Sequence, residues 1–164
     1  MIRKDREITD INEIISVMEG CDVCRIALND ENGPYIVPLC FGVEKSEDKI
    51  YIYFHGAAKG KKNCLIASNP VAGFETDRVL GLIKGTTGCG CTMQYESVSG
   101  KGVLETISAV GEKEHALKVI LEHYFKPGIL PMDSAAVDAT NVMRMKVTEI
   151  SGKRFIKARP ASKC

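Results

Sequence analysis

The chain has 164 residues, 45% hydrophobic and 26% charged, with a formal net charge of +1. That length supports one domain with its own core, and that composition is globular rather than disordered. A nearly balanced charge offers no electrostatic footprint for a nucleic acid or an anionic membrane, and no apolar run is long enough to span a bilayer.

The opening MIRKDREITD is charged with no apolar segment behind it, so a secretory signal is not expected and the cytoplasm is the expected location. Asp10–Glu19 reads as an amphipathic helix: Ile11, Ile14, Ile15 and Met18 recur at helical spacing. Asp10 with Glu13 resembles a capping box, and Gly20 suits the position after the helix end. Val23–Leu28 reads as a strand and Asn29–Gly33 as a turn, with Asn32-Gly33 the hairpin signal. Pro34–Val43 is the return strand. Pro38 inside it points to an edge or a bulge, where no backbone donor is needed, and Gly42 suggests a bend. After the polar turn Glu44–Lys49, Ile50–Phe54 is a third strand, all β-branched or aromatic. Tight turns between these runs predict an antiparallel meander.

At His55-Gly56 the strand breaks, and Lys59, Gly60, Lys61 and Lys62 lead into a short helix over Asn63–Ser68, closed by Asn69-Pro70. A lysine cluster at a helix start can hold a phosphate, because the terminal N–H groups, the dipole and the ammonium groups all favour an anion. The same residues also suit a solvated surface turn, and the local pattern leaves both readings open.

Val71–Thr76 reads as a strand. Asp77–Gly90 reads as a functional loop or flap, and its Val79, Leu80, Leu82 and Ile83 are expected to pack on something, a second subunit included. Cys91–Glu105 is a long strand that Gly100 and Gly102 allow to bend, as a barrel strand must at a corner. Ser108–Tyr124 is a second helix whose stripe is Ala116, Leu117, Ile120, Leu121 and Tyr124. His115 and His123 on it are too far apart for one metal and read as surface histidines. Phe125–Asp138 reads as irregular, Asn141–Ile150 as the last strand, Ser151-Gly152 as a turn, Lys153–Lys157 as briefly paired and Arg159–Cys164 as a tail. About six strands with corner glycines and few helices predict a mainly β fold, a small antiparallel β-barrel with rim helices.

The seven cysteines do not suggest a disulfide framework in a cytoplasmic chain. Cys21-x-x-Cys24 and Cys89-x-Cys91 invite a zinc hypothesis, but the second pair is too tight for a usual knuckle and Cys24 opens a strand, where it acts as a small hydrophobe. A redox dithiol at Cys21 and Cys24 would want a βαβ pattern after it, and none follows. No nucleophile elbow, P-loop or dinucleotide motif is present. A chain without its own acid, base or nucleophile constellation can borrow its chemistry from a cofactor.

Several segments in order resemble the pyridoxamine 5′-phosphate oxidase-like split-barrel flavoproteins, and in particular their nitroimidazole-resistance branch. They are Tyr35-x-x-Pro38-Leu39, Phe54-His55, Gly60-Lys61-Lys62, Asn69-Pro70, and Cys91, Tyr95, Ser97, Val98 and Gly100 on one strand. The likeness covers roughly residues 3–155 of a single domain. It implies a six-stranded antiparallel split barrel that binds FMN, with FAD the alternative flavin, between two barrels of a homodimer. Carried over by position, Val37, Pro38 and Leu39 would lie along the flavin ring, with Phe54 beside them. His55 would lie at the flavin and substrate edge, Lys59, Gly60, Lys61 and Lys62 around the phosphate, and Tyr95 and Ser97 near the cofactor, from the partner subunit. The oxidase proper has arginines around its phosphates, whereas Tyr35 and Gly60 stand at the matching positions here, which argues against vitamin B6 oxidase activity.

Two functions are therefore expected as alternatives. One is a flavin-dependent reductase acting on a small electrophile such as a nitroimidazole, with His55 orienting substrate or donating a proton. The other is a non-catalytic flavin or haem carrier or sensor, with His55 as a haem ligand. Either His55 role competes with a plain structural one, in which the ring caps the strand end.

Overall fold

The computed structural model describes residues 3–125 and 131–157. Among these residues eight strands form one antiparallel sheet. They are β1 (Glu7–Ile8), β2 (Cys24–Asp30), β3 (Gly33–Leu39), β4 (Phe41–Ser46), β5 (Lys49–Gly56), β6 (Val71–Ile83), β7 (Thr92–Ile107) and β8 (Asn141–Phe155). The order across the sheet is β3-β2-β6-β7-β8-β5-β4, with β1 on β8. The helices are α1 (Ile11–Glu19), α2 (Lys61–Ser68), α3 (Val110–Tyr124) and α4 (Ser134–Ala139). The sheet is the split barrel that the sequence predicts, but with eight strands rather than six.

The difference arises in two places. The single return strand expected over Pro34–Val43 is two strands that part at Cys40 and lie at opposite edges of the sheet, so the meander is broken. Proline explains why β3 can be an edge: Pro34 and Pro38 lack the N–H that a second neighbour would require. The two-residue β1 was not expected; it pairs with β8 at Lys153 and Gly152.

Alternation along the strands divides the core in two. Ile52 and Phe54 on β5, with Met143 and Met145 on β8, face the barrel interior beside Ile26, Phe41 and Phe74. Tyr53 and Val142 point the other way, onto Ala116 and Ile120 of α3. The stripe predicted for that helix is thus the face it buries. Ile14, Val17 and Met18 of α1 pack on the barrel cluster. Asp10 caps α1 by accepting from the Asn12 amide at 2.9 Å. Glu13 does not complete a capping box; it ion-pairs with Arg154 of β8.

Four further expectations change. Asp77–Gly90 is not a loop as a whole: β6 runs on to Ile83 and pairs with β7 as a long ribbon, with a register shift between Val79 and Gly81. Ser151-Gly152 is no turn, since β8 continues through it, and Gly152 instead admits Ile14 and Ile8, whose atoms lie 2.9 and 3.2 Å from where its Cβ would be. Part of the segment expected to be irregular is α4, capped by Asp133; residues 126–130 and 158–164 of the expected irregular segment and tail lie outside the described residues. His123 is not a surface histidine. Its Nε2 is 2.8 Å from the Cys21 carbonyl and its ring packs 4.4 Å from Phe41. The bend glycines hold: β7 shifts register at Lys101/Gly102, and a Cβ on Gly100 would lie 2.1 Å from the Glu149 carbonyl.

The end of α3 is pinned to the chain just before β2 and just after β3. Tyr124 donates its hydroxyl to the Asp22 carbonyl at 2.8 Å and accepts the Phe41 amide at 3.0 Å. Tyr124→Phe removes both bonds and leaves a part-buried amide unpaired. We expect unfolding by urea to show a loss of about 2 kcal/mol with an unchanged denaturant slope.

Candidate functional site

The split in the barrel lies where β3 ends and β4 begins, and several predicted site residues converge there. β3 pairs only with β2 among the described residues, so its outer edge presents free backbone groups. Val37 and Leu39 face the core, in one cluster with buried Phe54, while Pro38 points to the exposed side. Phe41 pairs with Phe54 across β4 and β5, so the Leu39–Cys40 corner lies beside the end of β5. His55 follows on that strand, exposed, opposite Val142 of β8.

The turn after β5 is held by amides remote in sequence. Asn63 donates to the Ala57 carbonyl at 2.9 Å, and Asn141 donates to Asn63 Oδ1 at 3.3 Å and to Ala57 at 3.4 Å. Gly60 caps α2 with φ 122° and ψ 172°, a backbone open to glycine and strained for other residues. Gly60's carbonyl takes the first bonds of α2 from Asn63 and Cys64. The amides of Lys61 and Lys62 then precede the helix ladder and carry its positive end.

The three lysines are in different states. Lys59 is exposed. Lys61 Nζ is 2.6 Å from Asp30 Oδ2 and 5.1 Å from the centre of the Tyr35 ring. Lys62 is half-buried, and burial pulls its pKa below the usual lysine value. Its ammonium lies 2.7 Å from where a Cβ on Gly56 would be, so that glycine makes room for it.

Tyr95 and Ser97 are not brought to this corner within one chain. Tyr95 pairs with Phe155 and Ser97 with Lys153, whereas His55 pairs with Val142. Val142 and Phe155 are 13 residues apart on β8, roughly 40 Å of strand. Tyr95 instead takes a hydrogen bond from Arg6 at 3.3 Å, and Arg6 lies over Phe155 at 4.2 Å.

Sequence reasoning missed Asp30, Asn63, Asn141 and the role of Gly56. Asp30 stood in a turn where an acid is ordinary, and the Asn63–Asn141 pairing spans 78 residues, so neither had a local signature. The Cys21–Cys24 pair does not contribute: both are buried, burial pushes both thiols up, Cys24 to about 12, and Cys21 bonds to the Val17 carbonyl. Among the described residues no cluster of three or more metal-ligating side chains occurs, and no helix is long and apolar enough to cross a membrane.

A family model described as pyridoxamine 5′-phosphate oxidase matches residues 10–154, and the chain belongs to that family. A candidate 5-nitroimidazole antibiotic resistance protein from Bacteroides thetaiotaomicron is 30% identical, with a TM-score of 0.75 over 90% of this chain and 86% of that one. Two more distant structures share the fold: a FAD and haem binding protein from Mycobacterium smegmatis and the flavocytochrome Anf3 from Azotobacter vinelandii. They are 17% and 18% identical, both with TM-scores of 0.75, covering 91% and 92% of this chain and 73% and 70% of theirs. No curated protein matches the chain.

Proposed function

We propose that the protein is an FMN-dependent reductase of small electrophiles, with nitroimidazoles the substrate class that its Bacteroides neighbour suggests. The observation that carries this reading is the half-buried Lys62 at the end of β5, without an ion pair among the described residues, in a chain of the pyridoxamine 5′-phosphate oxidase family. The residues fit the cofactor. The lysine turn and the α2 amides suit a phosphate. The free edge of β3 suits a ring: Pro38 leaves its carbonyl unpaired there, Val37 and Leu39 flank it, and Phe54 lies behind. When bound, a flavin supplies the hydride or electrons. This chain binds the tail, fixes the ring edge and sets access, and exposed His55 orients the substrate or gives it a proton.

A homodimer is part of the proposal. The β6–β7 ribbon carries exposed Val79, Leu82 and Met93, Leu82 at 81%, and a two-stranded ribbon with a bare apolar face gains stability from a partner. Tyr95 and Ser97, distant from His55 in one chain, would then serve the cofactor of the other. FMN is the flavin proposed, with FAD the alternative.

The absorption spectrum of the purified chain tests this directly. Incubation with FMN should give a yellow protein that NAD(P)H bleaches and a nitroimidazole restores. Lys61→Glu with Lys62→Glu should abolish flavin retention. A colourless chain after incubation with either flavin would overturn the reading, and a Soret band would replace it with haem carriage.

A further inference from the structure

Lys61 and Lys62 are consecutive in sequence but do different things in the structure. Successive side chains leave a helix about 100° apart. Lys62 turns toward the end of β5, where its ammonium sits over Gly56. Lys61 turns toward the β2–β3 hairpin. There its Nζ meets Asp30 at 2.6 Å and the Tyr35 ring at 5.1 Å. Asp30 is itself held: its Oδ1 accepts the Glu31 amide at 3.0 Å, and its side chain is only 20% exposed. The hydrogen bond from Lys61 holds the Asp30 carboxyl below the usual carboxylate range and raises the pKa of Lys61 in turn. The pair is therefore charged and matched at neutral pH, whereas Lys62 has no ion pair among the described residues.

We propose that Asp30 withdraws Lys61 from the anion site. The Asp30–Lys61–Tyr35 cluster is a latch that ties α2 to the β2–β3 hairpin, and Lys62 is the lysine that meets the flavin phosphate. This rests on the flavin reading above. Its physical basis is competition: a phosphate that recruited Lys61 would leave the carboxylate of Asp30 close by, unpaired and repelling it. A phosphate that recruits Lys62 relieves a half-buried charge that lacks a partner.

Riboflavin has the ring of FMN but no phosphate, so the ratio of its dissociation constant to that of FMN isolates the phosphate contribution. We would titrate FMN and riboflavin into the full chain and into Lys62→Met, Lys61→Met and Asp30→Asn, following flavin fluorescence. Lys62→Met should lower the ratio about tenfold or more, the loss of one charge-assisted contact, while riboflavin affinity, which also reports a folded site, stays unchanged. Lys61→Met should leave the ratio within about twofold, whereas Asp30→Asn, which frees Lys61 for the phosphate, should raise it several-fold. Two results would overturn the assignment alone: collapse of the ratio in Lys61→Met, or an unchanged ratio in Asp30→Asn. The first would make Lys61 the phosphate ligand, and the second would show that Asp30 does not hold Lys61 back from it. If neither flavin binds the unaltered chain, the flavin reading fails first and the phosphate assignment with it.

Discussion

Gly42→Ala is expected to destabilise the protein by about 3 kcal/mol, measured by thermal or denaturant unfolding. The α3 backbone lies directly on this residue: a Cβ at Gly42 would sit 2.7 Å from the Val119 carbonyl carbon and oxygen and 2.8 Å from the Ile120 amide. Backbone inside a helix cannot retreat as a flexible side chain can, so the helix must lift off the sheet. The damage should concentrate where α3 covers Tyr53 and Val142. A variant as stable as the parent would mean that α3 shifts along β4 without loss of packing.

Glu96→Ala should cost about 2 kcal/mol, because it takes from Arg78 its carboxylate partner among the described residues and from Arg154 one of two. Glu96 is 3% exposed on β7. Its carboxylate accepts from Arg78 at 2.7 and 2.6 Å and from Arg154, which also reaches Glu13 on α1. Arg78 further donates to the Gly20 carbonyl at 3.2 Å. One carboxylate thus joins β6, β7, β8 and the end of α1. Burial pushes its pKa up, but the two guanidiniums outweigh burial and hold it below the usual glutamate value. A depressed folded pKa contributes stability that is fully present above the unfolded value near 4.5 and is lost as pH falls through the folded value. The parent should therefore lose stability on acidification below about pH 4.5 more steeply than Glu96→Gln does. Parallel acid-unfolding curves for the two proteins would show that Glu96 is not the group responsible.

Both predictions concern contacts between elements, and there the sequence was least informative. Within elements it was readable. The apolar spacing of Ile11, Ile14 and Met18, the β-branched and aromatic run Ile50–Phe54, the stripe on Ser108–Tyr124 and the Asn32-Gly33 hairpin are signals of a few residues each, and all became the elements they indicate. Pro38 announced an edge because a missing donor is a property of the residue itself. The order of motifs from Tyr35 to Gly100 carried the family. The lysine turn was visible for the same reason: a run of cations before a helix is a local pattern.

What the tertiary structure alone decided is pairing and reach. Cys40 parts two strands because β3 and β4 find partners on opposite edges, and no residue at the break encodes that choice. β6 extends through Ile83 and β8 through Phe155 because β7 supplies hydrogen bonds to both; the glycines that suggested loops are tolerated inside a ribbon that is paired. Asp30 with Lys61, Asn63 with Asn141 and Glu96 with Arg154 are 31, 78 and 58 residues apart. The sequence by itself determined the central part of most strands and of the two longest helices, and where cations would gather, since those follow from periodicity and residue type. Which cation stays available for a ligand depends on where a distant carboxylate is brought, and only the packed chain settles that.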